Sequence, residues 1–348
     1  MQTRPIGRTG LNTHPFSLGT MTFGTQTPEA DAHRQLDMAV EAGINLIDTA
    51  ELYPVNPIAA ETCGDSEAIV GNWLEKTGKR KDVLIATKVS GSGAKAIRDG
   101  APISPKTITT AVEASLKRLK TDVIDLYQLH WPNRGSYHFR QNWTFSAADQ
   151  DTADSLVHIT EVLETLGKLV SAGKIRHIGL SNESAWGTAQ FLRIAETNGL
   201  PRIATIQNEY SLLCRHYDLD LAELSHHEDV GLLAFSPLAA GILTGKYSGN
   251  VIPQGSRRSL NPELGGRAVN PRSLDVADEY VALAAAHGLD PVHMALAFCT
   301  SRPFMAASIV GATTSSQLAH LLKGADLQLS DEVQKGIQAI YRRSPMPM

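Results

Sequence analysis

The chain has 348 residues, 42% of them hydrophobic and 20% charged, which suffices for one large core or two ordinary domains. Its net charge of −4 and pI of about 6.3 give no indication of a nucleic acid or an anionic membrane as a partner. The three cysteines are scattered and form no C-x-x-C, and the polar N-terminus lacks the apolar stretch of a secretion signal, so a cytoplasmic location with reduced thiols is predicted.

Strand and helix patterns alternate along the first part of the chain. Gly43 and Gly78 follow helical patterns as left-handed stops, and Ser104 before Pro105 has the character of a helix start. Apolar runs predict strands, and helical spacing predicts helices, in this order: strand 14–20, helix 31–43, strand 44–49, helix 65–78, strand 83–88, helix 104–119 and strand 123–130.

The same alternation continues to the end of the chain. The predicted elements are helix 155–173, strand 174–182, helix 184–198, strand 202–210, helix 218–228, strand 231–238, helices 273–287 and 290–301, strand 305–314, a helix from about 315 and a last helix at about 330–342. Eight short apolar strands with helices between them predict a parallel sheet covered on both faces, and therefore an α/β fold of the (β/α)8 TIM barrel type. We expect a single domain over 1–348, with a long loop at about 236–272 and the last helix outside the eight units.

The rival architecture is a doubly wound dinucleotide-binding fold. That fold carries G-x-G-x-x-G directly after its first strand. Here the first strand runs into Leu18-Gly19-Thr20-Met21-Thr22-Phe23-Gly24, which lacks the pattern. A nucleotide cofactor would therefore be held in another way.

Four polar side chains follow apolar strands of the predicted barrel, namely Asp48, Tyr53, Lys88 and His130. Each alone has an ordinary explanation: a turn cap for Asp48, a solvated strand end for Lys88 and a buried histidine for His130. Together they occupy the same rim of a parallel barrel, where catalytic groups lie. A neighbouring ammonium favours a phenolate and lowers its pKa, so the set suits proton transfer to a carbonyl group.

The chain resembles the aldo-keto reductases over nearly its whole length. The likeness is strongest to the bacterial Tas-like branch, through Tyr53-Pro54-Val55 and Gly71-Asn72-Trp73-Leu74. The other matching stretches are Gly19-Thr20-Met21, Asp48-Thr49-Ala50-x-x-Tyr53, Ala86-Thr87-Lys88, Gln128-Leu129-His130, Gly179-Leu180-Ser181-Asn182, Gln207-Asn208 and Phe235-Ser236-Pro237-Leu238. The resemblance implies NADP(H)-dependent reduction of aldehydes or ketones, with Tyr53 as general acid and Asp48, Lys88 and His130 as its partners.

The resemblance also implies a set of cofactor-binding residues. Amide and hydroxyl groups at strand ends suit a nicotinamide carboxamide, the basic loop after 236 suits a lid over a pyrophosphate, and the turn before the helix at 315 suits a 2′-phosphate. The set is Gly19, Thr20, Met21, Asp48, Ser181, Asn182, Gln207, Phe235, Ser236, Pro237, Leu238, Ala239, Gly241, Lys246, Arg257, Gly311, Thr313 and Gln317. His320-Leu321 replaces the Glu-Asn that relatives often carry near the adenine.

Aromatic residues are concentrated in segment 131–149, although the whole chain is only 6% aromatic. They form either the apolar mouth of a substrate pocket or a small core that holds a long loop, and Trp131 is the best pocket candidate beside Tyr53 and His130. The histidines of 226–227, His287 and His293 lack convergent ligand spacing, so no metal site is predicted.

The sequence thus predicts a barrel enzyme that reduces a small-molecule carbonyl substrate with NADPH. Two alternatives remain open. One is a cofactor-binding regulatory or redox-sensing subunit on the same barrel, against which the retention of His130 argues. The other is a barrel isomerase or metal-dependent hydrolase, which would need metal ligands at the strand ends.

Overall fold

The computed structural model describes residues 3–348 and contains a closed barrel of eight parallel strands. Each strand pairs with the next along the chain, and the last pairs with the first, which confirms the predicted (β/α)8 fold. The barrel strands are β3 (Phe16–Gly19), β4 (Leu46–Asp48), β5 (Leu84–Val89), β6 (Ile124–Leu129), β7 (Ile175–Ser181), β8 (Ile203–Glu209), β9 (Gly231–Phe235) and β10 (Met305–Val310).

Helices surround the barrel near the predicted positions. They are α1 (Glu29–Glu41), α2 (Asp65–Thr77), α3 (Pro105–Leu119), α4 (Thr152–Ser171), α5 (Ala185–Asn198), α6 (Asp220–Glu228), α7 (Arg257–Leu260), α8 (Arg272–Ala286), α9 (Pro291–Thr300), α10 (Ser315–Leu322) and α11 (Asp331–Arg343). The start of α3 shows how the sequence fixes these ends. The Ser104 side chain accepts from the Thr107 backbone N–H, and Pro105 supplies the first helical residue.

A short hairpin that the sequence analysis did not predict closes the bottom of the barrel. Its strands are β1 (Arg4–Pro5) and β2 (Asn12–Thr13), and the turn between them places Ile6 inside the lower barrel. Gly7 has a φ of +52° and approaches the Ala204 carbonyl so closely that a Cβ atom would lie 2.5 Å from it. Full burial of a side chain such as Ile6 contributes about 1.5–3 kcal/mol, so this plug stabilises the lower layer of the barrel.

In β4, β5 and β6 the barrel interior changes from apolar to polar over two residues. Leu46, Ala86 and Leu126 belong to the lower apolar layer around Ile6. Because side chains alternate between the two faces of a strand, the residues two positions later point into the barrel again, one layer higher. Those residues are Asp48, Lys88 and Gln128.

The long segment between β9 and α8 carries short 3-10 turns at Ala239–Thr244 and Ser248–Asn250 and the four-residue helix α7. It lies on the rim that the carboxyl ends of the strands form. Helix α11, near the predicted 330–342, packs against α8 outside the barrel units. Within residues 3–348 no single helix has the length and apolar character of a membrane span, although α8 and α9, bent by 99°, pass that test as a pair.

Candidate active site

A buried ion pair lies at the centre of the upper barrel layer. The Lys88 ammonium donates to Asp48 Oδ2 at 2.7 Å and to the Thr49 carbonyl at 2.8 Å. The Lys88 side chain is completely buried. Burial acts to lower the pKa of Lys88, but the Asp48 carboxylate, with Tyr53 as a lesser cause, outweighs it, and the pKa stands above its ordinary value. Lys88 is therefore charged at neutral pH.

Two glutamine side chains hold the other carboxylate oxygen of this pair. Gln207 Nε2 donates to Asp48 Oδ1 at 2.7 Å, and Gln128 Nε2 lies 3.3 Å from the same atom. The two amides also join each other, at 3.2 Å between Gln207 Nε2 and Gln128 Oε1. Sequence reasoning assigned Gln207 to the cofactor and gave Gln128 no role. The inward register of Gln128, two residues after Leu126, is the signal that could have found it.

Tyr53 lies beside this pair on the rim. The Lys88 Nζ is 4.8 Å from the centre of the Tyr53 ring, and the Tyr53 side chain is partly exposed. The pKa of Tyr53 is raised from its ordinary value, because removal of the phenol from water outweighs the opposing charge of Lys88. The sequence argument expected Lys88 to lower this pKa; it acts in that direction, but desolvation dominates. Tyr53 is consequently a protonated phenol at neutral pH.

His130 completes the group from the end of β6. Its ring lies edge-on to Tyr53, with 5.9 Å between the ring centres, and only 8% of the residue is exposed. Burial, with the Lys88 charge as a lesser cause, lowers the pKa of His130 well below its usual value. The imidazole is therefore neutral and can donate one hydrogen bond while its other nitrogen accepts. Within residues 3–348 its Nδ1 is buried without a partner.

The aromatic segment after His130 packs partly against His130 and partly on itself. The Trp131 ring lies 4.9 Å from the His130 ring and, on its far side, contacts Phe139 at 6.2 Å. Tyr137 contacts Phe145 at 6.4 Å, away from His130. Trp131 thus packs against His130, and the Tyr137 pair belongs to the internal packing of the loop.

The residues predicted for the nicotinamide side lie next to His130. Asn182 follows β7 with a φ of +52° and donates from Nδ2 to the His130 carbonyl at 2.9 Å. Its Oδ1 is buried and, among the described residues, accepts no hydrogen bond. Ser181 Oγ donates to the Gln207 carbonyl at 2.8 Å. The unfilled acceptor on Asn182 fits an amide N–H donor, as a nicotinamide carboxamide offers.

The end of β3 lies beside Asp48 in the neighbouring strand β4. Thr20 is fully buried, and its backbone N–H and Oγ1 both donate to the Asp48 carbonyl, at 3.0 and 3.1 Å. Gly19 lies so close to Ile309 that a Cβ atom would stand 2.8 Å from its side chain. Met21 is partly exposed at the rim. Thr20 therefore positions the Asp48 backbone, and Gly19 and Met21 are the partly exposed residues of the three.

The backbone after β9 turns sharply through residues in the left-handed region. Ser236, Ala239 and Ala240 have φ values of +54°, +47° and +57°, and Gly241 has +94°. Such conformations cost about 1–3 kcal/mol each for non-glycine residues and cluster at ligand sites, where turns of this kind aim backbone N–H groups at anions. The exposed Lys246 ammonium lies over Gly241, 2.9 Å from where a Cβ would stand. Phe235, Pro237 and Leu238 lie in the same turn.

Two arginines and one carboxylate form an ionic network above this turn. Glu209, at the end of β8, pairs with Arg267 at 2.6 Å and with Arg140 from the aromatic segment. Burial opposes ionisation of Glu209, but the two guanidinium groups outweigh it and lower its pKa. Arg267 also donates to Ser236 Oγ at 3.2 Å. Sequence reasoning gave Arg140, Glu209 and Arg267 no role in the site, because nothing local predicts a pairing between segments so far apart.

Arg257, on α7, is an arginine of this rim without a carboxylate partner within the described residues. Its Nε is buried without a hydrogen-bond partner in residues 3–348. Burial, followed by the nearby Arg267 charge, lowers the pKa of Arg257 to about 10. The guanidinium is still charged at neutral pH, and an anion would relieve both its isolation and its repulsion with Arg267. Arg257 is therefore a positive charge on the rim that an anionic ligand could neutralise.

The predicted 2′-phosphate segment lies at the start of α10, beyond Gly311. Gln317 Oε1 accepts from both the N–H and the hydroxyl of Thr313, at 3.0 Å each. Asp31, which the sequence analysis did not single out, accepts from the Ser315 N–H at 3.0 Å and from its hydroxyl at 2.7 Å. Burial opposes the charge, but these bonds and those from Gln35 and Arg34 lower the pKa of Asp31 to about 2. A carboxylate thus already lies at this helix start.

Chemically, the centre combines a protonated phenol, a buried ammonium beside it and a neutral imidazole at the mouth. A carbonyl oxygen within reach of Tyr53 and His130 would meet two hydrogen-bond donors. Three of the four cationic side chains of the β9–α8 segment, Lys246, Arg257 and Arg267, lie on the same rim. This arrangement suits proton transfer to a carbonyl beside an anionic cofactor.

Comparison with known proteins agrees with this chemistry. The family model described as "Aldo/keto reductase family" matches residues 15–342. "Protein tas" of Escherichia coli (strain K12) is 45% identical over 98% of both chains. The "Uncharacterized oxidoreductase YrpG" of Bacillus subtilis is 30% identical over 97% of this chain and 94% of its own. The "Putative voltage-gated potassium channel subunit beta" of Schizosaccharomyces pombe is 30% identical over 99% and 94%.

The family model and the first of these relatives both extend over the barrel strands and the rim residues described above. The chain belongs to the aldo/keto reductase family and is an oxidoreductase.

Proposed function

We propose that the protein is an NADPH-dependent reductase of aldehydes or ketones in which Tyr53 donates the proton. The observation that carries the proposal is the fully buried Lys88, paired with Asp48 at 2.7 Å and facing the Tyr53 ring at 4.8 Å. Burying a charged pair costs free energy unless its hydrogen bonds are well satisfied. Apolar side chains would stabilise a structural core equally well, so the presence of the buried Lys88–Asp48 pair favours a catalytic role.

The roles of the four side chains follow from their protonation states. NADPH, when bound, supplies the hydride for the carbonyl carbon. Tyr53 holds its proton at neutral pH and gives it to the carbonyl oxygen, and the Lys88 ammonium stabilises the phenolate that remains. Asp48 keeps Lys88 charged and oriented. The neutral His130 donates a hydrogen bond to the carbonyl oxygen and so fixes its approach.

The residues that would hold the cofactor fit its chemical groups. Asn182 Oδ1 offers an acceptor to the carboxamide, and Ser181 and Gln207 lie beside it. Phe235 stands at the end of β9, where its ring could cover the nicotinamide. Lys246 and Arg257 offer cations to the pyrophosphate. The remaining predicted contacts are Gly19, Thr20, Met21, Asp48, Ser236, Pro237, Leu238, Ala239, Gly241, Gly311, Thr313 and Gln317.

A second candidate function is a cofactor-binding regulatory or redox-sensing subunit. Its support is the likeness to a protein named as a potassium channel subunit beta, at 30% identity. A sensor needs the cofactor site but not rapid turnover. Catalytic rate therefore separates the two functions, and cofactor affinity does not.

The test is the rate of NADPH oxidation with a panel of aldehydes, ketones and quinones, for the wild type and for Tyr53→Phe. General acid catalysis contributes roughly 10²–10⁴-fold, so Tyr53→Phe should lose that much kcat while NADPH binding is retained. Tyr341→Phe is the matched control, because Tyr341, which belongs to α11, stacks on Arg215 and a phenylalanine keeps that contact. Near-wild-type kcat in Tyr53→Phe would exclude Tyr53 as proton donor. No turnover by the wild type on any substrate would favour the sensor.

A further inference from the structure

Two histidines and an aspartate meet on the outer side of the barrel, between α9 and α10. One potential ligand atom each from Asp290, His293 and His320 lies within 4.8 Å of the other two. His320 Nε2 is 3.1 Å from Asp290 Oδ2, and the two imidazole rings are 4.8 Å apart between centres. Asp290 and His293 belong to the start of α9, and His320 to the last turn of α10.

Hydrogen bonds to neighbouring backbone fix two of these side chains, Asp290 and His293. Asp290 caps α9 through Oδ1, which accepts from the Val292 N–H at 2.8 Å and leaves Oδ2 facing His320. His293 Nε2 lies 2.8 Å from the His320 carbonyl. Because a carbonyl only accepts, His293 Nε2 carries the hydrogen and its lone pair is on Nδ1. A ligating histidine is commonly held in this way, by a backbone carbonyl at its other nitrogen.

Close packing also restricts the His293 ring. Gly324, just after α10, lies against it so closely that a Cβ atom would stand 2.5 Å from two ring carbons. Asp290 and His320 in contrast are open to solvent, with side chains 32% and 45% exposed. The cluster is therefore partly preformed and accessible from water, as a site that binds an ion from solution requires.

We propose that Asp290, His293 and His320 form a binding site for a divalent transition-metal ion of the zinc class. Two imidazoles and one carboxylate suit Zn²⁺, and three protein ligands leave a fourth position for water. The last turn of α10 carries the negative end of the helix dipole, which favours a cation beside His320. Asp290 compensates the positive end of α9. The ion would join α9 to α10, and the proposal does not depend on the catalytic function.

The sequence analysis predicted no metal, because His293 was weighed only with His287. The ligand that pairs with it, His320, lies 27 positions further along the chain. A metal-free explanation also exists, in which His320 and Asp290 form a plain ion pair. That explanation predicts no saturable binding of Zn²⁺ at this place, so titration separates the two.

The test is calorimetric titration of the full-length, tag-free protein with Zn²⁺ near neutral pH. Asp290→Asn is the most informative variant, because asparagine also caps helices and removes only the anionic ligand. His320→Gln removes the imidazole ligand that is exposed to solvent. Loss of even an outer-shell partner costs about 10–100-fold in metal affinity, so each variant should bind at least about tenfold more weakly. The controls are His287→Gln, an exposed histidine outside the cluster, and Cys63→Ser, a half-buried free thiol.

Visible absorption of bound Co²⁺ gives a second measurement that a change of fold does not imitate. The wild type should show the bands of a four- or five-coordinate ion, and Asp290→Asn should lose them while its circular dichroism is unchanged. Saturable one-to-one binding that both Asp290→Asn and His320→Gln weaken would support the site. Absence of binding by the wild type, equal binding by these two variants, or loss of binding only in Cys63→Ser would each overturn it.

Discussion

Replacement of Lys88 by methionine tests the buried pair directly. Methionine has a similar linear shape, so little cavity forms, but the substitution leaves the Asp48 carboxylate buried with only its amide partners. Breaking a buried ion pair by removal of one partner costs about 3–5 kcal/mol. We expect the free energy of unfolding to fall by that amount.

The size of the chain converts this loss into a melting temperature. An unfolding entropy of about 2.1 cal/mol/K per residue gives roughly 0.7 kcal/mol per degree for 348 residues. Lys88→Met should therefore lower Tm by about 4–7 °C. The matched control is Lys81→Met, which changes an exposed lysine and should shift Tm by less than about one degree.

The pH dependence has a definite sign. Because the pKa of Lys88 in the folded protein stands above its ordinary value, its contribution is fully present below about pH 10 and is lost only above it. The stability difference between wild type and Lys88→Met should therefore be constant from pH 6 to 9.

The same substitution should raise the already elevated pKa of Tyr53, because the Lys88 charge is what lowers it. Alcohol oxidation with NADP⁺, in which Tyr53 would accept the proton, should then need a more alkaline pH.

The double variant Lys88→Met/Asp48→Asn gives the decisive comparison, because asparagine keeps an acceptor for Gln207 and removes the unpaired charge. It should be more stable than Lys88→Met alone. An equal or larger loss of stability in the double variant would refute the reasoning, since the cost would then not arise from an uncompensated carboxylate. An unchanged pH profile of Lys88→Met would remove Lys88 from the proton machinery.

Three further predictions concern the rim. Lys246→Ala and Arg257→Ala should each weaken NADPH binding in fluorescence titration more than they slow single turnover; loss of rate with unaltered affinity would contradict their assignment to the pyrophosphate. NADPH should bind at least about tenfold more tightly than NADH, since a charge-assisted hydrogen bond to the extra phosphate contributes about 1.5–3 kcal/mol. Asp31→Asn should increase this preference for NADPH. Equal dissociation constants of the wild type for the two cofactors would exclude a 2′-phosphate site at the start of α10. Burial lowers the pKa of His138 to about 4, so below about pH 6.5 the unfolded chain takes up a proton before the folded protein does. The free energy of unfolding should therefore fall by up to about 1.4 kcal/mol per pH unit between pH 6.5 and 4. His138→Gln should flatten that slope in urea unfolding, and a slope equal to that of the wild type would contradict the prediction.

The barrel could be predicted because its signals are local. Runs of Ile, Leu and Val mark the strands, and the caps at Ser104 and Ser184 mark helix starts that the structure has at the expected residues. The start of α4 was placed three residues late, because the Asp151 side chain accepts from the Asp154 N–H and lets the helix begin before its first apolar residue.

The predicted strands extend further than the observed ones. Strand 231–238 ends at Phe235 and strand 305–314 at Val310. After Phe235 the backbone leaves the hydrogen-bonded sheet at Ser236, because the positive φ of Ser236 cannot continue a strand. Apolar content continues to Leu238 and masks this turn, so hydrophobicity alone cannot find the residue at which the site begins.

Only those site residues whose positions follow from strand register could be predicted. Asp48 and Lys88 were found because each ends its own strand, and the barrel brings such ends together. The pairs of Glu209 with Arg140 and Arg267, and of Asp31 with Ser315, join loops whose paths no local pattern describes. The same is true of His320 beside Asp290.

The charge balance of the rim explains how one acidic protein presents a positive surface to a ligand. Glu209 is shared by Arg140 and Arg267, so one negative charge meets two positive ones and the network retains a surplus of one. Arg257, without a carboxylate of its own within the described residues, adds a second uncompensated charge close to Arg267. In a partly buried setting these charges repel one another more strongly than they would in water. An anionic ligand would relieve that repulsion, and the two loops that carry Arg140 and Arg267 would remain tied to β8 through Glu209.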